Sequence, residues 1–130
     1  MQIHQSAEDY LETILMLTQR MGRVRSIDVV NELGYTKASV SIAMKKLREN
    51  GYIAVYGEGN LTLLDPGREI AERIYSRHRL LTHFFMQLGV DEKIAAEDAC
   101  KAEHILSEET LAKIREQALL HDAEESAKNG

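Results

Sequence analysis

The feature that most constrains the fold is the spacing of glycines, several of which close an apolar stretch with helical periodicity. Gly22, Gly34, Gly51 and Gly89 each follow a segment in which apolar residues recur every three or four positions. Proline occurs once, at Pro66, where it suits the first turn of a helix. We therefore predict a mainly α protein.

Two of the predicted helices, 27–33 and 37–50, are joined by a short turn, and Thr36 is placed to cap the second one. Residues 52–56 and 61–64 follow directly, and their β-branched, aromatic and aliphatic content predicts two strands around a turn at 57–60. A hairpin directly after a helix-turn-helix is a wing. The first half of the chain is therefore predicted to be a winged helix-turn-helix domain.

The charge of the chain is unevenly distributed, although its net charge is −5. Between residues 20 and 48, seven basic residues face two acidic ones, whereas from residue 65 onward nine basic residues face fourteen acidic ones. Local field, rather than net charge, governs contact with DNA phosphates. We predict that DNA is contacted by polar and basic residues on or before the two helices: Arg25, Thr36, Lys37, Ser39, Ser41, Lys45 and Lys46. The alternative is an ordinary amphipathic helix with a solvated polar face.

A second group of residues has the chemistry of metal ligands. Read as one helix, the stretch 97–106 places Cys100, Glu103 and His104 on a single face. A thiolate, a carboxylate and an imidazole together suit a first-row transition metal, and further donors would complete the site. The candidates are Asp9, Glu12 and His78.

Each of these residues also has a plain structural interpretation when it is taken alone. Cys100 could be a small buried hydrophobic residue. Asp9 and Glu12 could be solvated acids near the start of a helix, where the dipole favours negative charge. His78 could be an ordinary polar surface residue or one held by a hydrogen bond. Only the joint occurrence of these residues favours a metal site.

Bulk properties set the expected context. The single cysteine cannot form an internal disulfide, no secretory signal pattern opens the chain, and no apolar run is long enough for a membrane span. We therefore expect a cytoplasmic protein with no membrane partner.

Residues 1–64 are predicted to form the DNA-binding domain and residues 65–130 a helical second domain. That second half carries more apolar surface than it can bury alone, so we expect a homodimer, which also matches a palindromic DNA site.

Together these segments resemble the diphtheria-toxin-repressor family of metal-dependent transcriptional regulators. The resemblance covers almost the whole chain and is most specific at residues 8–12, 63–67, 77–81 and 99–107, which occur in the family's order. The short length is similar to the manganese-transport-regulator branch. The resemblance implies a homodimeric repressor that binds double-stranded operator DNA only when loaded with Mn²⁺ or Fe²⁺, with Co²⁺ or Zn²⁺ as substitutes in vitro. It also implies a metal-binding and dimerisation role for the second domain.

Carried over by position, the resemblance implies a metal set of Asp9, Glu12, His78, Cys100, Glu103 and His104. The manganese branch has Glu where Cys100 stands, whereas the iron-responding branch has Cys there. The iron branch has Met in place of Asp9 and lacks an acid at Glu12. This chain is therefore a hybrid of the two ligand sets, which leaves the identity of the metal open.

A metal hydrolase and a metal-independent regulator are the two alternative functional classes. A metal hydrolase would need an open coordination position and a positioned base, and the chain carries no nucleophile motif or phosphate loop. We therefore do not expect an enzyme. A metal-independent winged-helix regulator that senses a small ligand or a partner is the stronger alternative, and removal of metal by a chelator discriminates between it and the metal-dependent repressor.

Overall fold

The computed structural model describes residues 5–129 and confirms the mainly α fold. In chain order the elements are α1 (Gln5–Met21), α2 (Ser26–Leu33), α3 (Lys37–Glu49), β1 (Ile53–Tyr56), β2 (Asn60–Leu63), α4 (Asp65–Gln87), α5 (Glu92–Ala102) and α6 (Glu108–Asn129). The chain divides into two compact units, Met1–Tyr75 and Ser76–Gly130. The division falls inside α4, and the domain boundary at residue 64 stays a prediction.

The first unit is built around the helix-turn-helix. Val40, Met44 and Leu47 of α3 are buried, and they belong to the same apolar core as Leu11 and Ile14 of α1. Their spacing places them on one face of α3, which leaves the other face exposed. This face fixes the orientation in which α3 presents its polar side chains.

The ends of the two central helices are set by specific caps. The Thr36 side chain accepts a hydrogen bond from the Ser39 amide at 3.1 Å, which confirms the predicted cap of α3. α2 begins at Ser26, and its cap is Arg25, whose amide donates to the Asp28 carboxylate at 2.9 Å. The turn between the helices uses Gly34 in the left-handed region, at φ 73°, which a side chain would disfavour.

The wing is a two-stranded antiparallel hairpin in which Ile53 lies opposite Leu63 and Val55 opposite Leu61. Ile53, Leu61 and Leu63 are buried, and they anchor the hairpin to the helical core. The Leu61 amide also donates to the carbonyl of Val24 at 2.7 Å, which ties the wing to the segment between α1 and α2. The wing is thus held in a fixed position beside the helix-turn-helix.

The second unit has its own smaller core of Leu81, Ala99 and Leu111. Asp91 caps α5 by accepting from the Lys93 amide at 3.2 Å. One predicted boundary was wrong here: the stretch 97–106 was predicted to be one helix, but α5 ends at Ala102. Across residues 5–129, no helix combines the length and apolar character needed to cross a membrane.

We expect Gly67→Ala to destabilise the first unit by about 3 kcal/mol, the upper end of the usual cost of overpacking. A Cβ at Gly67 would lie 2.2 Å from the carbonyl oxygen of Tyr52, which already accepts a hydrogen bond from the Leu64 amide. Thermal or urea unfolding measures the change. Gly57→Asn is the control, because asparagine tolerates the left-handed backbone of that exposed turn. Equal stability of the two variants would contradict the close approach at Gly67.

Candidate metal centre and nucleic-acid interface

A cluster of three potential metal ligands lies in the second unit. His78 comes from α4, Cys100 from α5 and Glu103 from the turn after α5, and one ligand atom of each lies within 4.8 Å of the other two. The Nδ1 atom of His78 is 3.0 Å from Oε2 of Glu103. Helix α4 and the C-terminal end of α5, which are distant in sequence, therefore converge at this cluster.

Glu103 is the central member, because its side chain is completely buried and touches two imidazoles. While Oε2 faces His78, Oε1 lies 3.4 Å from Nε2 of His104, whose side chain is also nearly inaccessible. A buried carboxylate is costly unless polar or charged groups compensate it. His78 contacts Oε2 within hydrogen-bonding distance and His104 faces Oε1, so several potential donors are concentrated in the interior.

The cluster fits a divalent transition metal by the chemistry of its donors. Imidazole nitrogen, carboxylate oxygen and cysteine sulfur are common ligands of iron, cobalt and zinc. Bonds to such ions are about 2.0–2.3 Å long, so donors within 4.8 Å of one another can share one ion after small movements. The exposed Cys100 and the buried Glu103 place the group at the edge of the core.

The backbone after α5 differs from the predicted continuous helix, although Cys100 and Glu103 keep their predicted proximity. Glu103 and His104 lie in a turn beyond α5 rather than inside the helix. Glu103 nevertheless keeps helical angles, and its amide donates to the carbonyl of Ala99 at 2.9 Å. Cys100 and Glu103 therefore remain neighbours, while His104 meets the other oxygen of the carboxylate.

The two acids from the N-terminal region lie on α1, in the first unit. Glu12 is 4% exposed, so it is not the solvated acid of the plain interpretation, and Asp9 is partly buried. Burial raises the pKa of the intervening Tyr10, and nearby Tyr35 and Asp9 raise it further. The role of Asp9 and Glu12 as metal ligands stays a prediction.

The histidines outside the predicted set have other surroundings. His83 Nε2 lies 3.0 Å from the Asp122 carboxylate, and both side chains are about half exposed. His121 lies 3.9 Å from Glu125 along α6. His4 lies outside the described residues. None of these three residues was assigned a role from the sequence.

The predicted DNA-contacting residues form an exposed surface on α3 and just before it. Lys37, Ser39, Ser41, Lys45 and Lys46 all point away from the core. Thr36 and Ser39 have a structural role as well, because the Thr36 hydroxyl donates to the Ser39 hydroxyl at 2.9 Å. Thr36, which was predicted to contact DNA, therefore also uses its hydroxyl to cap α3.

A groove of about 290 Å³ runs between α3 and the wing, within the first unit. Ser41, Lys45 and Arg48 line one side of it, and Val55 and Leu61 of the wing line the other. Sequence reasoning did not include Arg48 among the DNA contacts. The basic surplus of residues 20–48 includes Arg48, but the sequence did not predict the position of the wing, which makes Arg48 part of a groove.

Arg25 lies at a second opening of about 420 Å³, beside Arg23 and the turn of the wing. Its guanidinium is 3.1 Å from the carboxylate of Glu58, and both side chains are largely exposed. An exposed ion pair of this kind is weak and exchanges readily with other anions. Arg25 and Arg23 therefore extend the basic surface from α3 toward the wing.

Comparison with known proteins matches both halves of the chain to one family. A family model described as the N-terminal DNA binding domain of iron dependent repressors matches residues 2–61. A second, described as the iron dependent repressor metal binding and dimerisation domain, matches residues 65–124.

Individual relatives agree with this match. An uncharacterized HTH-type transcriptional regulator of Methanocaldococcus jannaschii is 35% identical over 113 residues, which cover 85% of this chain and 90% of that protein. The HTH-type transcriptional regulator MntR of Bacillus velezensis is 32% identical over 123 residues, covering 95% of this chain and 87% of that one.

Solved structures show the same fold. A manganese-dependent transcriptional repressor in complex with manganese superposes with a TM-score of 0.78 at 29% identity, over 86% of this chain and 52% of that one. IdeR of T. acidophilum superposes with a TM-score of 0.79 at 23% identity, over 90% and 55% of the two chains. The chain thus spans about half the length of these two solved structures.

Proposed function

The chain belongs to the iron-dependent repressor family, and we propose that it is a transcriptional repressor that binds operator DNA as a homodimer when loaded with a divalent transition metal. The observation that carries the proposal is the cluster of His78, Cys100 and Glu103, which lies in a chain that also carries a basic winged helix-turn-helix. The family consists of transcriptional regulators rather than enzymes. A regulator of this kind acts on DNA in the cytoplasm.

We propose the domain assignment made from the sequence, with residues 1–64 binding DNA and residues 65–130 binding metal and forming the dimer. The spans of the two family models, 2–61 and 65–124, support a boundary in this region. The basic surplus of the first part and the acidic surplus of the second support the same division of roles.

The proposed ligands of the metal are His78, Cys100, Glu103 and His104, with Asp9 and Glu12 as predicted additional ligands. A bound divalent cation would supply the positive charge that balances the carboxylates and the cysteine thiolate. Glu103 contributes both oxygens in an interior position, and the two imidazoles orient it. Mn²⁺ and Fe²⁺ are the proposed physiological ions, because the relatives include proteins named as manganese-dependent and iron-dependent repressors.

Regulation follows from linkage between the two binding events. If metal strengthens operator binding, operator DNA strengthens metal binding by the same factor. A coupling of the usual size corresponds to about 5–150-fold in affinity. The metal-independent alternative predicts no coupling at all.

The test is an operator-binding titration with Mn²⁺, Fe²⁺, Co²⁺ and Zn²⁺ in turn. A palindromic operator would first be selected from random duplex DNA with metal-loaded protein, and binding would then be followed by fluorescence anisotropy. We expect at least one ion to strengthen binding and a chelator to reverse it. Unchanged affinity with every ion and with the chelator would support the metal-independent alternative instead.

We expect Lys37→Ala and Lys45→Ala each to weaken operator binding and to reduce its salt dependence. Both residues are exposed on α3. Each loss should lower the slope of log K against log [salt] by about 0.9, the value of one phosphate contact. Lys113→Ala is the control, because this lysine is exposed on α6 in the second unit. Wild-type affinity and slope in both α3 variants would contradict α3 as the reading element.

We expect the protein to be a homodimer even without metal, formed mainly by residues 66–120. Among the described residues of the second unit, six large apolar side chains are exposed: Met86, Leu88, Ile94, Ile105, Leu119 and Leu120. Packing against a second copy would remove such side chains from water, and contiguous apolar patches are characteristic of interaction sites. Sedimentation equilibrium at micromolar concentration in the presence of a chelator measures the state. A monomer under these conditions would contradict the prediction.

A further inference from the structure

The turn that carries Glu103 and His104 is held by Arg77, a residue with no assigned role. One guanidinium nitrogen, Nη1, donates to the carbonyl oxygen of Glu103 at 3.1 Å. The other terminal nitrogen, Nη2, pairs with the carboxylate of Glu108, the first residue of α6. One side chain of α4 therefore links both ends of the turn between α5 and α6.

The carbonyl of Glu103 lies beyond the last turn of α5, where backbone carbonyls lose their intrahelical partners. Its amide still donates to Ala99, so the hydrogen bond from Arg77 fixes the opposite side of the same residue. The Arg77 side chain is only 14% exposed. The guanidinium is planar and presents its donors in a rigid fork, so it restrains the turn more precisely than a lysine could.

Arg77 directly precedes His78, and the two residues hold Glu103 in complementary ways. Arg77 binds its backbone carbonyl, while His78 Nδ1 contacts its carboxylate at 3.0 Å. The position of Glu103 relative to α4 is therefore set at two points. The opposite carboxylate oxygen is left directed at His104.

From this geometry we propose that Arg77 is a positioning residue for the metal centre, which keeps Glu103 and His104 in a metal-binding arrangement by tying their turn to α4 and to Glu108. The inference rests on the proposed metal-binding function. Residues that orient metal ligands typically contribute about 10–100-fold to metal affinity. Because geometry contributes to selectivity between ions, a looser turn should also reduce discrimination.

The test measures Co²⁺ binding to the full chain without DNA. Cobalt gives visible absorption bands that report its coordination geometry, and an ultraviolet charge-transfer band that reports a bond to the Cys100 thiolate. Arg77→Lys keeps the positive charge but loses the fork, and we expect about tenfold weaker binding with altered visible bands. Arg115→Lys, at an exposed position on α6, is the control and should bind as the wild type does.

Glu108→Gln provides a second variant that leaves Arg77 and every proposed ligand intact. It should weaken Co²⁺ binding less than Arg77→Lys, and the double variant should bind no more weakly than Arg77→Lys, because the two residues act through one contact. Circular dichroism checks the fold of each variant, and Glu108→Gln decides the matter if Arg77→Lys does not fold. Wild-type affinity and spectrum in the folded variants would overturn the inference, whereas no Co²⁺ binding by the wild type would instead overturn the proposed function.

Discussion

Glu103→Gln should abolish the response of operator binding to metal while leaving the metal-free fold intact. The substitution removes the carboxylate that lies between His78 and His104, so the proposed site loses its central anionic donor. The gain in operator affinity on adding metal, expected to be about 5–150-fold for the wild type, should fall to none. Anisotropy titrations with and without Mn²⁺ or Co²⁺ measure the gain.

The expected effect on stability distinguishes loss of the site from loss of the fold. Glu103 is fully buried, and a neutral amide of the same shape avoids the desolvation cost of a buried charge. The metal-free variant should therefore unfold at a temperature close to that of the wild type. Metal at 100 times its dissociation constant stabilises a binding protein by about 2.7 kcal/mol, and only the wild type should show this gain.

The matched control for this experiment is Glu109→Gln. It makes the same chemical change six positions along the chain, at an exposed side chain that is in neither ligand cluster found among the described residues. It should keep the metal response. A full metal response in Glu103→Gln would remove this residue from the ligand set and leave the cluster without its central member.

Local sequence patterns were sufficient to predict most of the fold. The apolar face of α3, the Thr36 cap and the wing each depend on residues close together in sequence, and all three agree with the structure. The end of α5 could not be predicted in this way. The alanines and Glu103 favour a continuous helix, yet the chain turns after Ala102, where tertiary contacts of Glu103 with His78 and Arg77 prevail over helix propensity.

The candidate metal site shows the same limit. The spacing of Cys100 and Glu103 was sufficient to predict their proximity, because it depends on one helical turn. The partnership of Glu103 with His78 joins two elements that no local spacing relates. His78 was one of several candidate donors until the family resemblance selected it, and the structure places the two atoms 3.0 Å apart. The contact between Arg77 and Glu103 could not be predicted from the sequence, since it depends on a backbone carbonyl at the early end of α5.

We expect the residue at position 100 to influence the choice of metal. Cys100 adds a soft sulfur donor to a cluster that otherwise offers a carboxylate and an imidazole. Thiolate favours iron, cobalt and zinc, and manganese is already among the weakest binders of the divalent first-row ions. The carboxylates of Asp9 and Glu12, predicted as additional ligands, would favour manganese. We expect this balance, together with geometry, to decide which ion activates the protein.

Cys100→Glu should shift activation toward manganese, because it replaces the soft donor with a carboxylate of the manganese-branch type. We expect the ratio of the operator affinity with Mn²⁺ to that with Co²⁺ or Fe²⁺ to rise by about tenfold, which lies within the usual coupling range of about 5–150-fold. Cys100→Gln is the matched control, because it has the shape of glutamate without its charge and should weaken activation by all three ions. The converse change, Asp9→Met, should weaken the response to manganese and spare iron or cobalt. Operator binding measured against the free concentration of each ion ranks the ions for every variant. An unchanged ranking in Cys100→Glu would show that Cys100 does not select the ion. Selectivity would then lie with Glu103, the histidines and the acids of α1.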